Sequence, residues 1–284
     1  MEPRTLYVVA TPIGNLADLS PRAQEVLAGV DRIAAEDTRH SARLLRHFGI
    51  TTPATAFHEH NEQRALEDLL RRLEAGEAVA LISDAGTPLL SDPGYHLVRA
   101  VWERGLRAVP IPGPSAAVAA LSVGGLPTDR VAFEGFLPAK AGARRKRLEG
   151  LRDEPRTLVF YEAPHRLAET LADLAAVFGP ERRATVAREL TKAHETVRPD
   201  TLEALRQWVE ADSDQRRGEV VLLVEGLAAE AAASARETEG LRVAERLARE
   251  LPASRAAAVA AEITGAKKNA LYRHLVKGDE AGET

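Results

Sequence analysis

The chain has 284 residues, 45% apolar, 28% charged and 4% aromatic, with no cysteine. This is ordinary globular usage, which excludes a disordered or collagen-like chain. The missing thiols exclude disulfides, thiolate metal sites, iron–sulfur clusters and a cysteine nucleophile. The formal net charge is −4, which taken as an average argues against a nucleic-acid substrate.

From the N-terminus, Leu6–Ala10 is an apolar run read as a strand, with no signal-peptide layout around it. Ser20-Pro21 gives an N-cap and a first-turn proline to a helix ending near Gly29. Arg32–Ala35 is a second strand, followed by a helix across Ser41–Phe48 that stops at Gly49. Ala54–Phe57 is a third, and Asn61 caps an amphipathic helix over Glu62–Ala75 with leucines at 66, 69, 70 and 73. Ala78–Ser83 is the fourth strand, Asp92-Pro93 opens a helix to Arg104, Arg107–Ile111 is the fifth strand, and Ser115–Leu121 starts the next helix. Strands alternating with helices imply βαβ crossovers and a largely parallel sheet, and strands this apolar suit burial on both faces.

The alternation restarts after Gly124-Gly125-Leu126-Pro127. Strands are expected at Val131–Leu137, Thr157–Tyr161, Ala184–Arg188 and Glu219–Val224, with helices at about 143–152, 165–178 and 201–210. The chain thus divides into an α/β domain at 1–127, a second at 128–226, a linker or loose helix at 227–240 and a helical segment at 241–284. In that segment Leu241–Leu251, Arg255–Ile263 and Lys267–Val276, with Gly265 in the second turn, have the spacing of a helix-turn-helix. A nucleic-acid contact and a helical cap packed on the body both fit that pattern.

G-x-G-x-x-G after a strand, G-x-x-x-x-G-K-[ST] and G-x-S-x-G are all absent, so Rossmann-type dinucleotide binding, P-loop chemistry and serine hydrolysis lose support. Small-residue loops follow three strands instead: Thr11-Pro12-Ile13-Gly14-Asn15, Ser83-Asp84-Ala85-Gly86-Thr87-Pro88 and Ile111-Pro112-Gly113-Pro114-Ser115-Ala116-Ala117. Ligands of open parallel sheets bind beyond the carboxyl ends of the strands, and such loops let a ligand approach bare backbone. Asp84 is the lone carboxylate among them, either an acceptor for a ligand or an Asx-turn. Glu36-Asp37-Thr38-Arg39-His40 either works on a substrate or caps a helix through Asp37 or Thr38. His58-Glu59-His60-Asn61-Glu62 is not H-E-x-x-H, so a zinc site is not expected. In the second half, Tyr161-Glu162-Ala163-Pro164-His165-Arg166 follows a strand, and Lys192 follows another as a phosphate contact or a solvated lysine. Lys140–Arg147 holds five basic residues in eight, an RNA-facing patch or a solvated loop.

The segments TPIGNLADLSPRA, AAEDTRHSARLL, FHEHNE, LISDAGTPLLSDPG, IPGPSA, FYEAPHR and ARELTKAHE, in this order, make the chain resemble the tetrapyrrole methylase superfamily, a class of S-adenosylmethionine-dependent methyltransferases. The aspartate loop reads Ser-Asp-Ala-Gly-Thr-Pro where many tetrapyrrole methylases carry Gly-Asp-Pro, as in the superfamily's ribosomal branch; that departure argues against a porphyrin or corrin substrate. The resemblance implies two α/β domains of the tetrapyrrole methylase type (class III) with S-adenosylmethionine in a cleft between them, plus the small C-terminal helical segment. It further implies a homodimer that methylates the ribose 2′-oxygen of a decoding-centre cytidine in 16S rRNA, within the small ribosomal subunit; the lack of cysteine and of any apolar run of some 18–20 residues points to a cytoplasmic protein with no membrane, and no metal is expected. Cofactor contacts map by resemblance onto Pro12, Ile82, Ser83, Asp84, Thr87, Ser115, Ala116, Glu162 and Leu190.

A ribose hydroxyl needs a base, for which Glu36, Asp37 and His58 are the candidates at strand ends; Arg39, Arg166, Lys192, Arg144 and Arg145 are candidate phosphate or ribose contacts. Two other functions stay open. One is a small-molecule methyltransferase acting on a tetrapyrrole or diphthamide precursor; the other is a non-catalytic ribosome- or RNA-binding protein. The charge distribution permits RNA where the average did not: residues 241–278 carry eight Lys or Arg against three Asp or Glu, and the Lys140–Arg147 run lies within an acidic remainder.

Overall fold

A computed structural model describes residues 1–58 and 62–280. The first half comprises β1 (Thr5–Val9), α1 (Pro21–Gly29), β2 (Arg32–Ala35), α2 (Thr38–His47), β3 (Ala54–Ala56), α3 (Glu62–Glu74), β4 (Val79–Ile82), α4 (Tyr95–Glu103) and β5 (Arg107–Ile111). Its strands form a parallel sheet in the order β3-β2-β4-β1-β5. The two-residue period of a strand explains why these segments are apolar throughout. Tyr7, Val9, Ala80 and Ile82 face a core shared with Val26 and Leu27 of α1 and Leu44 and Leu45 of α2. Leu6, Val79 and Leu81 face the opposite core, with Leu69, Leu70 and Leu73 of α3 and Leu97 and Val101 of α4.

The second half runs through α5 (Ala116–Val123), β6 (Val131–Phe136), α6 (Ala141–Glu149), β7 (Thr157–Glu162), α7 (Leu167–Phe178), β8 (Arg183–Arg188), β9 (Thr196–Thr201), α8 (Leu202–Ala211) and β10 (Val220–Val224). Its sheet has the order β6-β7-β10-β8-β9 and is mixed. β6 and β7 are parallel and the other pairs antiparallel. Ala117 and Ala120 of α5 pack with Val159, Ala187, Val221 and Leu223 of this sheet, joined by Ile13 from the loop after β1. β9 is an addition to the expected strands. Its sequence, TVRPDT, lacks apolar alternation and contains Pro199, which an edge strand tolerates because one side needs no ladder donor.

Three expectations are corrected by local physics. α2 begins at Thr38 rather than Ser41, because the Asp37 side chain accepts the Arg39 amide at 2.8 Å and caps the helix. α4 begins at Tyr95 behind Gly94, so Asp92-Pro93 belongs to the preceding loop. The Lys140–Arg147 run is not a solvated loop: most of it lies in α6, and Arg144 is 1% exposed. Its Nε donates to Asp173 of α7 at 2.6 Å, and Asp173 also accepts from Arg145 at 2.6 Å. Arg144 is therefore an internal strut, which removes it from the expected substrate contacts; Arg145 is exposed but paired to the same carboxylate.

The boundary at 127/128 falls between the two sheets, yet Met1–Glu149 and Thr157–Val224 together form one compact unit. The other unit comprises Gly150–Arg156 and the chain from Glu225 onward. In it, α9 (Ala229–Leu247), α10 (Ala253–Thr264) and α11 (Lys268–Glu280) surround Ala244, Ala256, Ala257, Ala260, Leu271 and Leu275. α9 runs unbroken through most of the expected linker, and Gly265 ends α10. The expected cap residue Asn61 lies outside the described residues, as do Glu59 and His60.

Removing one partner of a buried ion pair strands the other in a low-dielectric interior. Asp173→Ala is therefore expected to lower unfolding free energy by about 3–5 kcal/mol, measured by urea denaturation. A loss no larger than ~1 kcal/mol, the range of a surface pair, would contradict the burial argument.

Candidate active site

The loops beyond the carboxyl ends of the first sheet are tied to one another. Thr11 and Gly86 exchange backbone hydrogen bonds of 2.8 and 3.0 Å, joining the loops after β1 and β4. The Thr87 hydroxyl donates to the Pro114 carbonyl at 3.0 Å, bringing in the loop after β5. The end of β2 joins through carboxylates: the Asp37 amide donates to Asp84 Oδ1 at 3.1 Å, and the Asp84 amide donates to Glu36 Oε2 at 3.3 Å. Asp84 thus caps a neighbouring loop rather than its own.

Between these loops and the second sheet lies a cleft of about 410 Å³, within the roughly 300–1,000 Å³ of small-molecule sites. Ile13, Leu90, Ala187, Leu190 and Val221 give it apolar walls. Phe136 and Tyr161 add an aromatic corner, their rings 5.6 Å apart. Five carboxylates, Glu36, Asp84, Asp92, Glu162 and Glu219, line it as well. Burial pushes Asp92 from 3.8 up to about 6; the Ser83 hydroxyl opposes the shift, and the charges of Glu36 and Asp84 add to it. Burial also pushes the Tyr161 hydroxyl up. Leu89 and Ser91 just before Asp92, and Glu189 and Thr191 on the opposite side, are non-glycine residues with φ between 52° and 75°. Each costs about 1–2 kcal/mol, and such strain gathers at functional sites.

A second cavity of about 330 Å³ adjoins the first and shares Ile13, Asp84, Ala85 and Glu219 with it. Pro12, Ser83, Arg43 and Lys192 also line it. Lys192 lays its stem across Gly14 and donates to Glu189 at 2.9 Å and Glu219 at 3.0 Å. Burial works against its charge, but these two carboxylates hold its pKa above 10.5.

Of the expected donor contacts, Asp84, Thr87, Ala116, Glu162 and Leu190 line the larger cleft, while Pro12 and Ser83 line the second cavity. Ile82 is buried in the core with α1 and α2, and Ser115 precedes Ala116 as the α5 cap position; neither lines either of these two cavities. Glu162 is spoken for by protein groups: it accepts from Arg166 Nε at 2.8 Å, the Ala163 amide at 2.7 Å and the Thr170 hydroxyl at 2.6 Å. Arg166 is held in turn by the Leu137 carbonyl at 2.9 Å. Among the candidate bases, Glu36 lines the cleft. Asp37 is gripped by the Arg39 side chain and amide, which hold its carboxyl down at about 2. His58, at the end of β3, lines neither cavity. Arg39 is the open cation of the set, with a side chain 91% exposed although it touches Asp37.

Asp92 is the residue that sequence reasoning passed over, because Asp-Pro reads as a helix start. Length was the available signal. The connection from Ser83 to Gly94 has twelve residues, against about 2–6 for an ordinary βα loop, and long loops carry function.

Residues 5–206 match the family described as Tetrapyrrole (Corrin/Porphyrin) Methylases. The chain belongs to this family of methyltransferases, whose two-sheet architecture it has. Residues 234–277 match the RsmI C-terminal HTH domain. The Ribosomal RNA small subunit methyltransferase I of Pseudomonas aeruginosa is 58% identical over 277 residues, 98% of each chain. Proteins of the same name from Xylella fastidiosa and Escherichia coli O157:H7 are 58% and 54% identical, covering 95% and 96% of this chain and 98% and 94% of theirs. Solved structures share the fold at low identity. Uroporphyrin-III-C-methyltransferase from Thermus thermophilus has a TM-score of 0.54 at 21% identity, covering 78% of this chain and 94% of its own. A diphthine synthase has 0.58 at 14%, covering 80% and 92%.

Asp92 carries a thermodynamic signature. Its folded pKa, about 6, exceeds the unfolded 3.8, so above pH 6 the fold bears the cost of a buried charge. That cost fades as pH falls through 6 and vanishes below 3.8. Asp92→Asn is expected to raise stability by ~1–3 kcal/mol at pH 8 after allowance for partial solvent exposure, and by almost nothing at pH 3.5. Urea unfolding at both pH values checks this; equal effects at the two would contradict it.

Proposed function

We propose that this protein transfers the methyl group of S-adenosylmethionine to the ribose 2′-oxygen of a decoding-centre cytidine in 16S ribosomal RNA, acting as a homodimer on the small ribosomal subunit. The observation that carries the reading is the 410 Å³ cleft, into which the resemblance-derived contacts Asp84, Thr87, Ala116 and Leu190 converge from three separate connections. Near-complete coverage by relatives named for ribosomal RNA supports the acceptor. The tetrapyrrole and diphthamide alternatives draw on structural likeness at 21% and 14% identity, which speaks to the fold alone.

The cleft suits the donor on chemical grounds. S-adenosylmethionine supplies a methyl group already activated on a sulfonium. The carboxylates Glu36, Asp84 and Asp92 suit a cationic ligand with hydroxyls, and Phe136 and Tyr161 offer ring faces and edges to a flat heterocycle. The first turn of α5, where the Ser115 side chain makes no capping bond, leaves backbone amides for a carboxylate. On the acceptor side, the second cavity carries His40, Arg43 and Lys192 for a polyanion. The buried hydroxyl of Ser41 lines it and has no hydrogen-bond partner among the described residues. Fixing both reactants in adjoining cavities supplies the in-line geometry, which is worth ~7–11 kcal/mol of barrier in the best intramolecular cases. Exposed Arg39 and, separately in the C-terminal unit, exposed Lys268 and Arg273 of α11 offer cations for phosphate contact.

The deciding assay incubates the protein with labelled S-adenosylmethionine and undermethylated small subunits, free 16S rRNA or a porphyrinogen. Mass spectrometry should find the label on a cytidine ribose; label on a nucleobase or a porphyrinogen would refute the proposal. In the same system Arg39→Ala is expected to weaken RNA binding and reduce the salt slope by about 1, measured by titration at several salt concentrations. An unchanged slope would remove Arg39 from the phosphate contacts. Light scattering near twice 30.7 kDa is expected for the dimer.

A further inference from the structure

We infer that Asp92 is the catalytic base that takes the proton of the acceptor hydroxyl, an inference that rests on the function proposed above. Five carboxylates line the cleft, and four of them are engaged by protein groups: Glu162 by Arg166, Thr170 and the Ala163 amide, Glu219 by Lys192, and Asp84 and Glu36 by backbone amides. Asp84 Oδ1 receives the Asp37 amide and Glu36 Oε2 receives the Asp84 amide, so each has an oxygen committed to tying the loops together. Asp92 accepts from no backbone amide among the described residues; its contact is the Ser83 hydroxyl.

The loop that carries Asp92 is fixed from both sides. At Gly94, with φ 128°, an added Cβ would stand 2.8 Å from Leu81 Cδ2 of β4, so the chain there lies directly on the first sheet. At Gly135, with φ 64°, an added Cβ would stand 3.0 Å from Ser91 Oγ. Gly135 adjoins the irregularity in the β6–β7 pairing, where the register shifts between Phe133 and Gly135. The loop is thus seated between β4 and a bulge of the second sheet, with Leu89 and Ser91 held in left-handed conformations just before the carboxylate. Bulges and strained residues of this kind re-aim side chains at functional sites.

The charged and titratable groups around Asp92 are Glu36 and Asp84 from the first sheet, Tyr161 and Glu162 from β7, and Glu219 before β10. The nearby cations are engaged elsewhere, Arg166 with Glu162 and Lys192 with Glu189 and Glu219. The surroundings are therefore anionic, and burial and like charge raise Asp92 to about 6 while the usual carboxylate range lies lower. A base in this range is ionised at neutral pH yet has more proton affinity than a solvated aspartate, the compromise that general-base catalysis favours. In the step, the ribose O–H bond breaks and its proton passes to the Asp92 carboxylate. The oxygen's electron pair forms the O–CH₃ bond, and the C–S pair remains on sulfur as a neutral thioether.

The test uses full-length protein and undermethylated small subunits. Asp92→Asn, assayed at saturating donor, is expected to lower kcat by about 10²–10⁴-fold, with KM for the subunit within about threefold, and to abolish the acid limb near pH 6. Without either substrate, ¹³C NMR of labelled aspartate should show one carboxyl titrating near 6 that is lost in Asp92→Asn. That titration should move down in Glu36→Gln, where a like charge is removed. The expected stability gain of Asp92→Asn makes unfolding a poor explanation of lost activity. A kcat within threefold of wild type, or an acid limb retained in Asp92→Asn, would overturn the assignment while wild-type label on the ribose left the proposed function standing. Wild-type label on a nucleobase would overturn both.

Discussion

The site depends on one constraint: the carboxyl ends of β1, β2, β4 and β5 must be held at fixed distances although their loops are rich in glycine and proline. The contacts of Asp84 with Asp37 and Glu36, and the paired backbone groups of Thr11 and Gly86, meet it with backbone donors, received by two carboxylates in the first case and by carbonyls in the second. Backbone donors lose little further conformational freedom on pairing compared with long side chains. The loops can therefore be small, leaving room for a ligand, without being loose. The parallel sheet beneath supplies rigidity, because both of its faces are packed by helices.

Carboxylates in this frame are sorted by their partners. Asp37 is exposed and gripped by arginine, so it stays charged far below neutral pH; Asp92, a short distance along the same rim, is desolvated and crowded by like charge, so it titrates near neutrality. One residue type serves two ends: Asp37 organises a helix start, and Asp92 is left with proton affinity to spare. Arginine divides in the same way between Arg144, buried as a strut, and Arg39, spread into solvent.

Local periodicity made most of the architecture readable. Arg32–Ala35 and Arg107–Ile111 coincide with their strands, and Ser20-Pro21 starts its helix as the capping chemistry requires. β9 escaped notice because an edge strand of TVRPDT owes its state to pairing with β8, which no local pattern records. The basic run around Arg144 looked like surface because its partner Asp173 is 29 residues away in sequence. The same limit applied within the site. The loops that carry Asp84, Thr87 and Leu190 stood out by composition and resemblance, whereas Asp92 gains its character from burial and from Glu36 and Asp84, which only the fold brings beside it.

The contact of Ser91 with the bulge at Gly135 has a mechanical meaning. A loop that belongs by sequence to the first sheet takes its outer bearing from the second. The position of the Asp92 carboxylate is therefore set from both sheets at once, so a side chain added at Gly135, far along the chain, would press on the loop that carries it.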